Sequence, residues 1–171
     1  FGISMGYHLS DAILDRIENQ PTPLYFHHYQ RVNILLDTIG LMATSMIQGL
    51  GYQAIPIPAS QIVDWKAQKG HLSHKHLAQA AGLGWIGRNN LLVNEQFGSR
   101  VRLVTILTDI PLVVSAPAIR DCGSCLDCLS VCPAGAIHIE DNTGAVTPTR
   151  HIRWHYDECI FCGQCERLCT T

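Results

Sequence analysis

The stretch CGSCLDCLSVCP occupies residues 122–133, and a second run, CIFCGQCERLC, occupies residues 159–169. Cysteines stand at 122, 125, 128 and 132 in the first run and at 159, 162, 165 and 169 in the second. These are all eight cysteines of the chain, and residues 1–121 contain none. Each run has the spacing C-x2-C-x2-C-x3-C. Three thiols this close on a tight loop can reach three corners of one inorganic face, while the fourth, placed further along, points elsewhere.

Used twice, that spacing is the bacterial ferredoxin arrangement for two [4Fe–4S] clusters, in which the fourth cysteine of a run ligates the other cluster. It predicts that Cys122, Cys125, Cys128 and Cys169 hold one cluster and that Cys159, Cys162, Cys165 and Cys132 hold the other. The fourth cysteine of each run is expected at the start of a helical turn. Each run then ties the other into a lobe whose folding depends on metal. Two other uses of eight cysteines compete. Zinc ribbons pair two separated C-x-x-C knuckles rather than three cysteines plus a fourth. Disulfide scaffolds usually spread their cysteines through a short chain. The two matching tetrads favour iron and sulfide. Thr170, not proline, follows Cys169, which alters the local turn rather than the supply of thiols.

Composition sets the wider frame. The chain has 171 residues, 47% hydrophobic and 15% charged, which suits a globular protein with a real core. Its formal net charge of −2 offers no basic footprint and argues against a nucleic-acid partner. No apolar run is long enough to cross a membrane, so no membrane partner is expected. Oxygen-labile clusters and reduced thiols point to a cytoplasmic location. The chain opens on Phe-Gly-Ile-Ser-Met and closes two residues after Cys169, so a fragment of a longer protein is expected.

Ahead of the cysteines, residues 1–5 read as a buried strand and Ser10 as the N-cap of a helix of about ten residues through Ile13, Leu14 and Ile17. Thr22–Pro23 opens a long helix from about Leu24 to Gly49. Its apolar stripe is read as Val32, Leu35, Leu36, Ile39, Met42, Ala43, Met46 and Ile47, with the methionines as core filler. Tyr52–Ile57 reads as an edge strand because of its prolines. Residues 60–69 read as a short helix, and Ser73 caps another that Gly82 ends. Leu91–Asn94 and Arg100–Thr108 read as two strands joined by a turn. Residues 109–120, with two prolines, read as a linker, with the boundary near 116 between domains 1–115 and 116–171. Ala136–Glu140 reads as a strand, Asp141-Asn142-Thr143-Gly144 as a turn, and Val146 as the start of the return. The two cysteine runs form an internal repeat for which pseudo-twofold packing is expected.

Other constellations are weaker. GLGWIG at 82–87 matches G-x-G-x-x-G but follows a helix and precedes a strand, the reverse of a dinucleotide fingerprint. Its glycines still permit close approach by backbone or by a large flat ligand. His71, His74 and His76 lack a matched third ligand on one face and read as a solvated helix start rather than a metal site. His27, His28 and Tyr29 either line a pocket or form a polar helix face. Arg88, Arg100, Arg102, Arg120, Arg150 and Arg153 form no run; they suit neutralising cluster charge or binding phosphate.

LAQAAGLGWIGRNNLLVNEQFGSRVRLVTILTDIPL, followed by CGSCLDCLSVCPAGAI, resembles the corresponding stretch of the epoxyqueuosine reductase family. The joint pattern of AGLGWIG, FGSR, LTDIPL and the first cysteine run carries the resemblance, over about residues 77–137. It implies an α+β architecture. An N-terminal α/β domain, of the nitroreductase or corrinoid-domain kind and truncated here, is followed by a two-cluster ferredoxin-like domain. It also implies a cobalamin cofactor, with Gly84, Trp85, Ile86, Gly87 and Arg88 against the corrinoid. Electrons from a donor such as a ferredoxin or flavodoxin would pass through the clusters to cobalt. The family carries Val-Asp-Ser-Ala-Pro upstream, its Asp acting as proton donor. This chain has Ile-Pro-Ile-Pro-Ala-Ser at 55–60, a more compact second cysteine run, and no C-terminal helical repeats. The resemblance thus points to a paralogue with a different substrate.

Two functions are expected to compete. One is an oxidoreductase that relays single electrons to a cofactor and reduces a small molecule. The other is an electron-transfer module that delivers electrons to a partner protein.

Overall fold

The computed structural model describes residues 1–66, 69–140 and 151–169. Its centre is a three-stranded antiparallel sheet of order β1-β5-β2, built from β1 (Gly2–His8), β5 (Val101–Thr108) and β2 (Ala54–Ile57). The β-branched run VRLVTILT takes the central place, pairing Val104 with Met5 on one side and Thr105 with Ile57 on the other. Pro56, which cannot donate to a ladder, sits on an edge strand as its chemistry requires. β1 runs through Gly6 to His8 rather than stopping at it, and it is a partly exposed edge rather than a buried strand.

The long helix is α2, Pro23–Gly49. Pro23 opens it, and the Thr22 hydroxyl accepts from the Tyr25 amide at 3.1 Å, closing one orphan donor of the first turn. Val32 and Leu36 meet Val104, Leu9, Leu14 and Ile17 in one cluster, and Ile47 meets Ala54 and Ile106 in a second. α2 thus covers the sheet face that carries Val104 and Ile106. The buried line of α2 is Val32, Leu36, Gly40, Thr44 and Ile47, not the stripe expected from spacing alone. Met42 and Met46 are 63% and 72% exposed, which rules them out as core filler.

On the opposite face lies α3, His74–Ala80, against β5 and β1. A Cβ on Gly2 would stand 3.0 Å from Leu77 Cδ2, so the strand end and helix touch closely. α3 ends as expected at Gly82, with φ +79. Its amide donates to the Gln79 carbonyl at 3.1 Å, and the Leu83 amide to the Ala78 carbonyl at 2.9 Å, the paired bonds of a Schellman stop. His74 is not merely a solvated helix start. Its ring bonds Thr105 Oγ1 at 2.8 Å and the Pro58 carbonyl at 3.0 Å. A carbonyl only accepts, so Nε2 carries the proton and Nδ1 accepts from Thr105.

Two further expectations fail. The helix after Ser10 is α1, Asp11–Leu14, a single turn rather than about ten residues. Leu14 and Ile17 are already fully buried by then, and Asp15 and Arg16 turn outward. The described part of 60–69 is no helix but a turn closed by mutual bonds between Asp64 and Lys69. β3 (Trp85–Ile86) and β4 (Leu92–Val93) form their own antiparallel pair, so the 91–94 strand answers to the glycine-rich stretch and not to β5.

Residues 111–120 run without regular structure to the first cysteine run, as expected for a linker. Beyond it come α4 (Asp127–Ser130), β6 (Ile137–Glu140), β7 (His151–Trp154), a 3-10 turn at Tyr156–Glu158 and α5 (Gln164–Leu168). β6 and β7 pair antiparallel. The turn at 141–144 and Val146 lie outside the described residues. α4 and α5 pack against each other, and α5 also meets α1. Among the described residues no helix is long and apolar enough to cross a membrane.

Candidate metal centre and adjoining cavity

The two cysteine runs adopt the same local form. Each folds as a loop followed by a short helix that contains the third cysteine, Cys128 in α4 and Cys165 in α5. The fourth cysteine follows its helix instead of starting one: Cys132 lies just beyond α4, and Cys169 is the C-cap of α5. Left-handed Gly123 and Gly163 stand one residue after Cys122 and Cys162, where the loops turn most sharply.

The thiols fall into two neighbourhoods. Burial pushes Cys128 up to about 11, and the neighbouring thiols that add to this are Cys122, Cys169 and Cys125. Burial also raises Cys169, which feels Cys122 and Cys125. Cys162 is raised by burial and feels Cys132 and Cys159. Cys165 is raised chiefly by burial; it feels Glu166, then Cys128, Cys162 and Cys159. Cys169 therefore sits near Cys122, Cys125 and Cys128, and Cys132 near Cys162. Among the described residues no three His, Cys, Asp or Glu side chains converge on a point suited to a single metal ion. A lone zinc would hold its thiolates at about 2.3 Å around one point. A cubane gives every thiolate its own iron and so spreads them. Cys128, Cys162, Cys165 and Cys169 thus resist ionising as free thiols, a cost that thiolate ligation to iron would reverse.

The N-terminal elements grip this lobe at named points. Arg88 donates from Nη1 to the Cys125 carbonyl and from Nη2 to the Gly123 carbonyl, the latter at 2.8 Å. Arg100 is nearly buried and reaches the Arg167 carbonyl through Nε at 3.1 Å, while ion-pairing Asp11 at 2.5 Å and Asp15 at 3.2 Å. The Arg100 guanidinium holds the Asp11 carboxyl below its usual range. Arg167 Nη1 donates to the Ile17 carbonyl at 2.7 Å, and the Ser99 amide to the Cys169 carbonyl at 3.2 Å. The FGSR stretch thus docks the last helix.

Beside the second run lies a cavity of about 840 Å³. Cys132, Cys159, Cys162 and Cys165 all line it, facing Tyr25, Phe26 and Tyr29 of α2, together with Lys75, Arg102 and Asn90. Trp154, Tyr156 and Phe161 pack edge-on in its wall, with ring centroids 5.2–6.4 Å apart. Arg102 lies 4.3 Å over the Tyr29 ring. Lys75 Nζ donates to Asn90 Oδ1 at 2.5 Å and to its carbonyl at 2.8 Å, and burial lowers its affinity for a proton. The Tyr25 hydroxyl donates to Glu166 Oε2 at 2.6 Å. Burial raises both groups, strongly for Tyr25.

The glycine-rich stretch sits elsewhere. A Cβ on Gly84 would stand 2.0 Å from the Val93 carbonyl oxygen, and one on Gly87 2.6 Å from Val93 Cγ2. These glycines let β4 approach, and Trp85 is buried with its Nε1 unpartnered among the described residues. None of Gly84, Trp85, Ile86, Gly87 and Arg88 lines the cavity; Asn89, Asn90 and Leu91, directly after them, do. Sequence reading did not single out Tyr25, Lys75 or Glu166. Tyr25 and Glu166 are 141 residues apart in the chain and meet only through the fold.

Residues 121–171 match the family model described as a 4Fe-4S dicluster domain, which makes this an iron–sulfur protein with a ferredoxin-like C-terminal part. Part of the chain is homologous to epoxyqueuosine reductases. It is 48% identical over 61 residues to that enzyme of Escherichia coli strain K12, covering 36% of this chain and 16% of the relative. It is 35% identical over 104 residues to that of Listeria monocytogenes, covering 61% and 25%. The chain therefore spans a quarter or less of these two relatives. A solved catabolic reductive dehalogenase superposes with a TM-score of 0.72 at 19% identity, covering 93% of this chain and 22% of that one. At that identity the likeness shows a shared fold.

Proposed function

We propose that this chain is the redox part of an iron–sulfur reductase, with units 1–115 and 116–171 and two [4Fe–4S] clusters. Cys122, Cys125, Cys128 and Cys169 would hold an outer cluster, and Cys159, Cys162, Cys165 and Cys132 an inner one. The observation that carries the reading is the crossing of fourth cysteines between the two neighbourhoods. Cys125 is exposed, whereas the inner four line the cavity, so electrons from a small carrier protein would enter at the first run and leave toward the cavity.

The cavity suits a flat organic cofactor, because its wall carries six aromatic side chains and a few convergent polar groups. Cobalamin is the cofactor that the family resemblance favours; when bound it would supply a low-valent cobalt able to accept electrons and attack a substrate. This chain's residues would exclude water with Phe26, Trp154 and Phe161 and offer positive charge from Lys75 and Arg102. The Tyr25 hydroxyl, donating to Glu166, would keep its proton beside the inner thiols. A small anionic molecule suits such a lining better than a polyphosphate backbone, given the net charge of −2. The alternative, an electron-transfer module without its own catalytic site, uses the same thiols but not the cavity.

Anaerobic reconstitution should yield about eight iron and eight sulfide per chain. Added cobalamin should then raise the melting temperature by mass action and change its own visible spectrum. Full clusters with no response to cobalamin favour the electron-transfer module. Zinc, or disulfides, in place of iron removes both readings.

A further inference from the structure

Arg88 is the point where the glycine-rich hairpin touches the first cysteine run. Its two Nη groups donate to two carbonyls of the same loop, those of Gly123 and Cys125. That fork fixes the distance between the second and fourth residues of CGSCLDC. The loop has few other ties: the Cys125 amide bonds the Cys122 carbonyl at 3.0 Å, and the Gly123 amide bonds Asp121 Oδ1 at 2.7 Å. Of the charged side chains next to the loop in sequence, Asp121 and Asp127 are acidic, and Arg120 is paired with Glu95 at 2.7 Å. The guanidinium is therefore the cation held against this loop, and its charge also reaches Cys128. Among the described residues the second run has no such fork on its loop carbonyls: Arg100 and Arg167 act at the far end of α5, on the Arg167 and Ile17 carbonyls.

We infer that Arg88 is a positioning residue that selectively raises the reduction potential of the cluster on Cys122, Cys125, Cys128 and Cys169, while fixing the loop that holds it. The inference rests on the two-cluster reading above. Reduction adds one electron to a cluster and no bond breaks, so a fixed cation nearby favours the reduced form. Potentials of such clusters follow local charge, hydrogen bonding and exposure. A guanidinium with two hydrogen bonds stays in place, unlike a freely rotating lysine. The two clusters would then differ in potential by design of the fold rather than by ligand type, since both have four thiolates.

The test is a redox titration of the reconstituted protein followed by electron paramagnetic resonance, on the wild type, Arg88→Gln and Arg88→Lys. Arg88→Gln should lower the potential of one cluster so that its reduced-to-oxidised ratio at fixed potential falls about threefold to tenfold, about 30–60 mV for a one-electron couple. The other cluster should not move. Arg88→Lys, which keeps the charge but not the fork, should retain most of the potential while losing the first cluster faster to a chelator. If Arg88→Gln loads one cluster only and Arg88→Lys loads two, the assignment also stands. Two full clusters with unmoved potentials in Arg88→Gln overturn it and leave the two-cluster reading intact. Loss of both clusters in both variants makes Arg88 a general folding residue and also overturns it. A wild type that binds no iron overturns both proposals.

Discussion

Gly163 shows how much one residue of the second run is constrained. It stands at φ +82, and a Cβ there would lie 2.8 Å from Ile17 Cδ1 and 3.0 Å from Tyr25 Cζ. Ile17 is fully buried and has nowhere to move. Gly163→Ala should cost about 2–3 kcal/mol, from left-handed strain and overpacking together. A denaturant melt reads the loss, and iron content should fall with it. His74 gives the molecule a pH dependence of known sign. Burial depresses its pKa below the ordinary value, so the folded state prefers the neutral ring. Its contribution is complete above the unfolded value of about 6.5 and is lost as pH falls through that value toward the folded one. Melts at pH 7.5 and 5.5 should differ less for His74→Gln than for the wild type. Sequence reading could find the iron–sulfur domain because cysteine spacing is a local property. It could not find His74's partners, Pro58 and Thr105, because strand pairing brings them there.

Among the elements, α2 separates pattern from packing. Apolar residues occur on more than one face of it, so a stripe drawn by spacing could be drawn several ways. The sheet selects Val32, Leu36, Gly40, Thr44 and Ile47, where Gly40 lets Val104 approach to 3.4 Å of an added Cβ. Leu36 is 1% exposed and should cost about 2–5 kcal/mol as Leu36→Ala. Met46→Gln, at a residue 72% exposed, should stay within about 0.5 kcal/mol. Equilibrium unfolding of the two variants decides between the sheet-facing line and the expected stripe. Caps were legible: Thr22–Pro23 and Gly82 do what their chemistry dictates. α1 was overestimated because the apolar positions that suggested a helix continue into a turn whose burial comes from α2 and β5.

At the scale of the molecule, arginines tie the lobe to the N-terminal elements, with the Tyr25–Glu166 and Ser99–Cys169 hydrogen bonds beside them. Both hydrophobic clusters consist of residues from the first 110 positions. The cysteine lobe contributes hydrogen bonds through Arg88, Arg100 and Arg167. Removing iron with a chelator should therefore melt the lobe and free α1, while α2 and β5 keep their protection from hydrogen exchange. Uniform loss of protection would mean the sheet depends on the lobe. The C-terminal place of the iron–sulfur domain was readable from where the cysteines begin. The cavity was not, because its walls come from residues far apart in sequence.

The meeting of Cys169 with Cys122 and Cys125 has a consequence for biosynthesis. On a ribosome, the first run emerges as three thiols still waiting for a fourth. At about 5–20 residues per second, the missing ligand follows about two to seven seconds after Cys132. On the proposed ligation, neither cubane could be completed until both runs are outside the exit tunnel, so whatever delivers iron and sulfide would act only after Cys169 has emerged.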